Sequence, residues 1–256
     1  MNLEWINDII YMHEVCSKHG LIGNHMLAVL HWFMLFLFVG WTTFLLVILW
    51  KFRAKKHPKA SYHGITSHFS THLEIGVVIV EVVLLMGFAF PLWAKRVDVK
   101  ERPTGEDVVN LRAVGEQFRW YFHYAGADKS IGITSYDRIN SGDNPVGLVK
   151  EDPNAKDDFI SIGELVLPKD RPVVIQVTSK DVIHGLAIVP MFVQQDAMPG
   201  QEIPMWFVPQ KEGYWNIVCA QLCGASHAKM VANVEVLSSE DFDAWYKEQR
   251  PMLPQE

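Results

Sequence analysis

Apolar positions follow two different rhythms along this chain. Residues 26–50 run for twenty-five positions without Asp, Glu, Lys or Arg, and residues 75–94 hold a single acid, Glu81. Each run can carry a helix across a hydrocarbon core of about 30 Å. The pattern therefore predicts two membrane helices, over 25–50 and 73–93. After Asp98 the runs become short and rich in Val, Ile and aromatic residues, over 108–114, 116–124, 172–178, 182–189, 203–208, 214–219 and 230–237. Gly and Pro punctuate them at Gly115, Gly163, Pro168, Pro172, Pro190, Pro199, Gly200, Pro209 and Gly213. That rhythm predicts an all-β sandwich or barrel. Residues 126–158 are polar and read as long loops. Residues 239–249 read as a terminal helix, with Ser at its start and acids in its first turn. Four regions follow: an N-terminal segment 1–24, a hairpin of two membrane helices 25–96, a β domain 97–238, and a C-terminal helix and tail 239–256.

Charge orients the hairpin. The loop 51–72 carries five basic residues and no acid, whereas residues 1–24 carry one Lys and three acids. Basic short loops stay cytoplasmic, so both termini face outward, which in a bacterium is the periplasmic side of the inner membrane. Lys95 and Arg96 pull weakly the other way. A basic leader is missing from the first residues, which hold Glu4, Asp8 and Glu14 instead. Residues 3–15 can form a short helix on the membrane surface. Glu81 lies inside the second span, and a carboxyl is costly in lipid, so it should face protein or water. That calls for a partner membrane protein. From Asp98 onward there are 15 basic and 24 acidic residues, a balance of −9, against +3 before it. An acidic head excludes nucleic acid as a partner and suits a cationic one.

The chemistry is concentrated in Cys219-Ala-Gln-Leu-Cys223-Gly-Ala-Ser-His227-Ala-Lys-Met230. The default for two nearby cysteines outside the cytoplasm is a disulfide. Here an imidazole and a thioether stand beside them, a soft donor set that favours copper over zinc. One thiolate suffices for a single copper, so two point to a bridged pair of coppers. A second imidazole is then required, and His184, after the apolar strand and short turn, is the candidate.

The runs SKDVIHGLAIVPMFVQQDAMPG and CAQLCGASHAKM resemble cytochrome c oxidase subunit II, over roughly residues 27–245. The resemblance implies two membrane helices followed by an outward cupredoxin domain holding the binuclear CuA centre. It implies that Cys219 and Cys223 bridge two coppers, with His184 and Met230 on different coppers. His227 would complete one copper opposite Met230, and the carbonyl of Gln221 would be the remaining ligand. It implies partners as well: subunit I and other membrane subunits, and cytochrome c or a cytochrome c domain as electron donor. Glu74 matches the family's acid at the mouth of a proton pathway into subunit I.

Three positions depart from the family pattern. Gln221 replaces the Glu that helps bind magnesium at the junction with subunit I, which puts that magnesium ligand in question. Phe118 replaces the Trp at which electrons usually enter, leaving Phe118 and Trp120 on one strand face and Arg119 and Tyr121 on the other as candidates for that role. Glu81 stands in place of a usual Pro. The competing readings are a CuA subunit of a nitric oxide reductase and, in a different class, a membrane-tethered copper carrier. The donor expected here is a cytochrome c domain held within the complex.

Overall fold

The computed structural model describes residues 14–59, 62, 63 and 67–253. The surface helix expected over 3–15 falls almost wholly outside them. The chain divides into two compact units. One is Val29–Arg102; the other joins the described residues up to Ala28 to the region after Pro103.

Helix α1 (Lys18–Lys51) belongs to the first unit from Val29 onward and ends on the basic loop. There Lys56 and Arg53 lie over the Trp50 ring, at 4.4 and 5.8 Å from its centroid. An indole wrapped by cations suits the boundary between lipid tails and headgroups. Helix α2 (Phe69–Leu84) widens into a π-type turn, Leu85–Ala89, and continues as α3 (Phe90–Val97). The widened turn comes just before Pro91. Pro lacks an N–H and its ring crowds the carbonyl four residues back, which a π-type turn relieves. Both helices are long and apolar enough to cross a membrane. Glu74 and Glu81 lie seven residues apart on α2, two turns, and so share a face.

In the second unit, ten strands among the described residues form two sheets. They are β1 (Val109–Glu116), β2 (Arg119–Tyr124), β3 (Phe159–Ile162), β4 (Glu164–Pro168), β5 (Val173–Ser179), β6 (His184–Ile188), β7 (Val193–Ala197), β8 (Ile203–Phe207), β9 (Gly213–Cys219) and β10 (Val231–Leu237). One sheet has the order β3-β2-β1-β5-β8 and the other β4-β10-β9-β6-β7. Leu111, Ala113, Trp120 and Ile175 from the first interleave with Leu186, Ile217, Val234 and Val236 from the second in one core. This is the sandwich that the cupredoxin resemblance implies. Gly163 turns the chain from one sheet to the other at φ +73°, where a side chain would be strained. Its N–H reaches Trp120 O and its carbonyl accepts from Asn233 N, both at 2.9 Å.

Helix α4 (Ser239–Glu248) starts where Ser238 Oγ accepts a hydrogen bond from Asp241 N, at 3.1 Å. Phe242 enters the core, and Trp245 and Tyr246 pack edge-on against Tyr124. The apolar stretch after residue 25 had set the start of the first helix. In the structure α1 begins earlier because its first turns lie on the sandwich. Cys16 is fully buried there, held by Cys16 N to Pro190 O at 2.7 Å and Gln210 N to Cys16 O at 2.8 Å. Ser17 Oγ donates to Met191 O at 2.6 Å.

Residues 126–158 are mostly irregular, yet they cover the outer face of the first sheet. Val146, Leu148 and Ala155 bury Val114 and Tyr121. Beside them sits a buried polar chain. Arg112 contacts Glu202 at 2.8 Å and His123 Nδ1 at 3.2 Å, and His123 Nε2 lies 2.6 Å from Asp158, which also accepts from Gly132 N at 2.8 Å. His123 is the neutral form with its proton on Nε2, since Nδ1 must accept from the guanidinium. Burial lowers its pKa and outweighs the pull of Asp158; Arg112 adds to the lowering.

Below about pH 6.5 the unfolded chain takes up a proton at His123 that the folded chain refuses. Its contribution to stability is therefore complete above that pH and declines as pH falls toward the lowered folded value. The thermal midpoint of the full chain should drop on acidification through this window. His123→Gln should lower the midpoint at neutral pH but flatten the slope. An unchanged slope would remove His123 as its cause.

Candidate metal centre

Three loops converge at one end of the sandwich: the β1–β2 turn, the segment from Ser179 to His184, and the segment from Cys219 to Met230. Strand pairing brings the last two together. In β6 and β9, Leu186 stands opposite Cys219, and Ala220 N donates to Gly185 O at 2.8 Å. The loop closes on itself where Cys219 N donates to Met230 O at 3.2 Å.

The two thiols lie 3.7 Å apart and are free. A disulfide needs about 2.05 Å. Each sulfur has two further donors beside it. Cys219 Sγ is 4.0 Å from His184 Nδ1 and 3.2 Å from Gln221 O. Cys223 Sγ is 3.6 Å from His227 Nδ1 and 3.7 Å from Met230 Sδ. The structure thus assembles all six of the donors expected from sequence. His184, Cys219, Cys223 and Met230 are buried, His227 is half-buried, and Gln221 is exposed. Burial, then the hydrogen bond shared with Cys219, pushes the Cys223 thiol up to about 11. A bound cation would deprotonate both sulfurs.

His184 is aimed by its surroundings. Its Nε2 lies 2.8 Å from Asp181 Oδ1. That bond places the proton on Nε2 and the lone pair on Nδ1, toward the sulfurs. Burial alone would raise the Asp181 pKa, but hydrogen bonds from His184, Gln117 and Val182 hold the carboxyl below its usual range. The Trp120 edge packs on the imidazole at 5.8 Å between centroids. Behind the ring lies Gly115, where an added Cβ would sit 2.8 Å from His184 Cδ2. Sequence reasoning had assigned no role to Asp181 or Gly115. The spacing Asp-x-x-His was the available signal for Asp181.

The positions proposed for electron transfer are unequal. Trp120 has no exposed surface and Tyr121 only 2%. β2 alternates, so Trp120 enters the sandwich core while Tyr121 lies under the covering loops, its hydroxyl on Glu116 at 2.6 Å. Phe118 alone of the three is half-buried at the rim, against Gly224. Of the expected Phe118/Trp120 face, Phe118 reaches the surface and Trp120 does not. The Gln221 side chain turns to Asp196, donating to its carboxylate at 3.1 Å. Glu74 is exposed on α2, in the other unit.

The donor set suits copper: two thiols, two imidazoles, a thioether and a carbonyl leave no role for a hard oxygen-seeking cation. Residues 109–237 match the family described as cytochrome c oxidase subunit II, periplasmic domain. The alternative cytochrome c oxidase subunit 2 of Bradyrhizobium diazoefficiens is 30% identical over 220 residues, covering 86% of this chain and 77% of the relative. Cytochrome c oxidase subunit 2 of Cereibacter sphaeroides is 30% identical over 224 residues, covering 82% of this chain and 70% of the relative. The crystal structure of the periplasmic domain of subunit II of cytochrome oxidase (CoxB) of Bradyrhizobium japonicum is 27% identical, with a TM-score of 0.41, over 57% of this chain and 94% of that one. With the family match spanning the β strands and the copper-type donors in place, this chain belongs to the cytochrome c oxidase subunit II family.

Proposed function

We propose that the chain receives electrons from a c-type cytochrome at a binuclear CuA centre and passes them to haem in subunit I of a haem–copper oxidase, where oxygen is reduced. The observation that carries this reading is the pair of buried, unjoined thiols 3.7 Å apart, with imidazole, thioether and carbonyl donors around them. A copper pair held by these residues would supply one-electron transfer with little change of geometry. Cys219 and Cys223 would hold the metals, and His184, His227, Met230 and the Gln221 carbonyl would complete the set. Asp181 fixes the His184 tautomer, and Cys219 and Cys223 are themselves buried. Gln221 offers an amide where the family's magnesium ligand is a carboxylate.

The two apolar helices and the family's periplasmic domain support placement in a bacterial inner membrane, with the metal centre on the periplasmic side. The donor, cytochrome c or a cytochrome c domain held within the complex, docks at the Phe118 rim. A tethered donor has a high effective concentration and depends less on charge. Glu74, at the cytoplasmic start of α2, serves proton uptake into subunit I, and Glu81 on the same face meets that partner.

Copper analysis of the full chain should give two coppers, with a visible mixed-valence band. Cys219→Ser should abolish the band while circular dichroism shows the sandwich intact; retention of the band would exclude bridging through Cys219. Met230→Leu should keep both coppers and shift the potential, because a thioether is a weak ligand. Gly115→Ala should perturb the same spectrum by pushing on His184. In the assembled oxidase, Glu74→Gln should slow steady-state turnover while reduction of the copper centre stays fast. Unchanged turnover would take Glu74 out of the proton path.

A further inference from the structure

The strand pairing that places His184 against Cys219 reaches only as far as Ala220. Beyond it the loop leaves the sheet, and Cys223 and His227 are carried by a segment with turns of its own: His227 N to Gly224 O at 3.1 Å and Lys229 N to Ser226 O at 2.9 Å. Among the described residues, two side-chain hydrogen bonds tie that segment to the rest of the fold. One is Gln221 to Asp196 at 3.1 Å. The other runs from Gln117 Nε2 to the carbonyl of Cys223 at 2.6 Å.

Gln117 is also joined to the opposite half of the site. Its backbone N–H donates to Asp181 Oδ2 at 2.7 Å, and Asp181 Oδ1 takes His184 Nε2 at 2.8 Å. One residue of the β1–β2 turn thus closes a hydrogen-bonded chain from one metal-binding imidazole to the second cysteine. The loop is shaped to receive it. At Gly224, φ is +136° and an added Cβ would stand 2.7 Å from Gln117 Nε2. Such a backbone accepts Gly readily and side chains poorly.

We propose that Gln117 is the positioning residue that locks the Cys223 half of the loop to the Asp181–His184 half, so the two sulfurs are spaced before metal binds. This rests on the dicopper reading above. The side-chain amide is the part that matters, because the backbone N–H survives substitution.

The test is Gln117→Leu in the full chain, with two readouts. In the metal-free protein, hydrogen exchange at amides 221–226 should quicken about tenfold, as expected for loss of one hydrogen bond. In the copper-loaded protein, the copper hyperfine pattern should change although two coppers are retained. Glu116→Gln is the control: it weakens the same turn through Lys180 at 3.1 Å and Tyr121 at 2.6 Å but contacts no donor residue. It should leave both readouts as in the wild type. Wild-type exchange and spectra in Gln117→Leu, or the same changes in Glu116→Gln, would overturn the proposal. If Gln117→Leu does not fold, Gln117→Glu keeps the length and removes the donor, and the same changes are expected. A wild-type chain that binds no copper pair would defeat the dicopper reading, and the exchange measurement on the metal-free chain would still decide the clamp.

Discussion

The close approach of β6 to the end of β9 is the constraint on which the site depends. Ala220 N bonds Gly185 O at 2.8 Å, and a Cβ on Gly185 would lie 3.0 Å from Gln221 N. A side chain here would push the two backbones apart by a few tenths of an ångström. That contact sets His184 beside Cys219 at the point where the sheet ends and the loop begins. The remaining donors then fall within twelve residues of chain.

Around that contact the fold supplies dryness and rigidity in layers. The sandwich core puts Trp120 against the His184 ring, and Gly115 gives the ring its room. On the other side of the same sheet, residues 126–158 seal Tyr121 and Val114. There the Arg112–His123–Asp158 chain fastens the covering loop to the strands. A partly satisfied polar chain in such a place would cost more than an apolar one. The bonds it makes tie β1 and β2 to the loop on the outer face, although Asp158 Oδ1 is buried without a hydrogen-bond partner among the described residues. The β1–β2 turn, which carries Gln117 and Phe118, is consequently anchored to a stiff base.

Legibility in the sequence follows how local each feature is. The donor segment 219–230 was readable because its spacing is short and its residue types are chemically specific. Central strands such as β5 and β10 were readable because their burial gives a long Val-rich pattern. β3, β4 and β7 were missed, and each is a sheet edge. β7 reads Val-Gln-Gln-Asp-Ala, polar as edges often are to deter pairing with other chains. The role of residues 126–158 as a cover was hidden because buried Asp and Asn serve there as hydrogen-bond acceptors, not as a hydrophobic pattern. Cys16 gave no signal either, since its burial depends on the 190–210 region far along the chain. The burial of Trp120 was implied by strand alternation, but which face was the inner one required the second sheet.

The central claim is that this chain holds two metals between two unjoined sulfurs. The most direct measurement is diffraction from the copper-loaded full chain at wavelengths on either side of the copper absorption edge. The account predicts two anomalous peaks between the sulfurs of Cys219 and Cys223, with His184 and His227 Nδ1 directed at them. A disulfide between Cys219 and Cys223, or a single metal peak there, would contradict it.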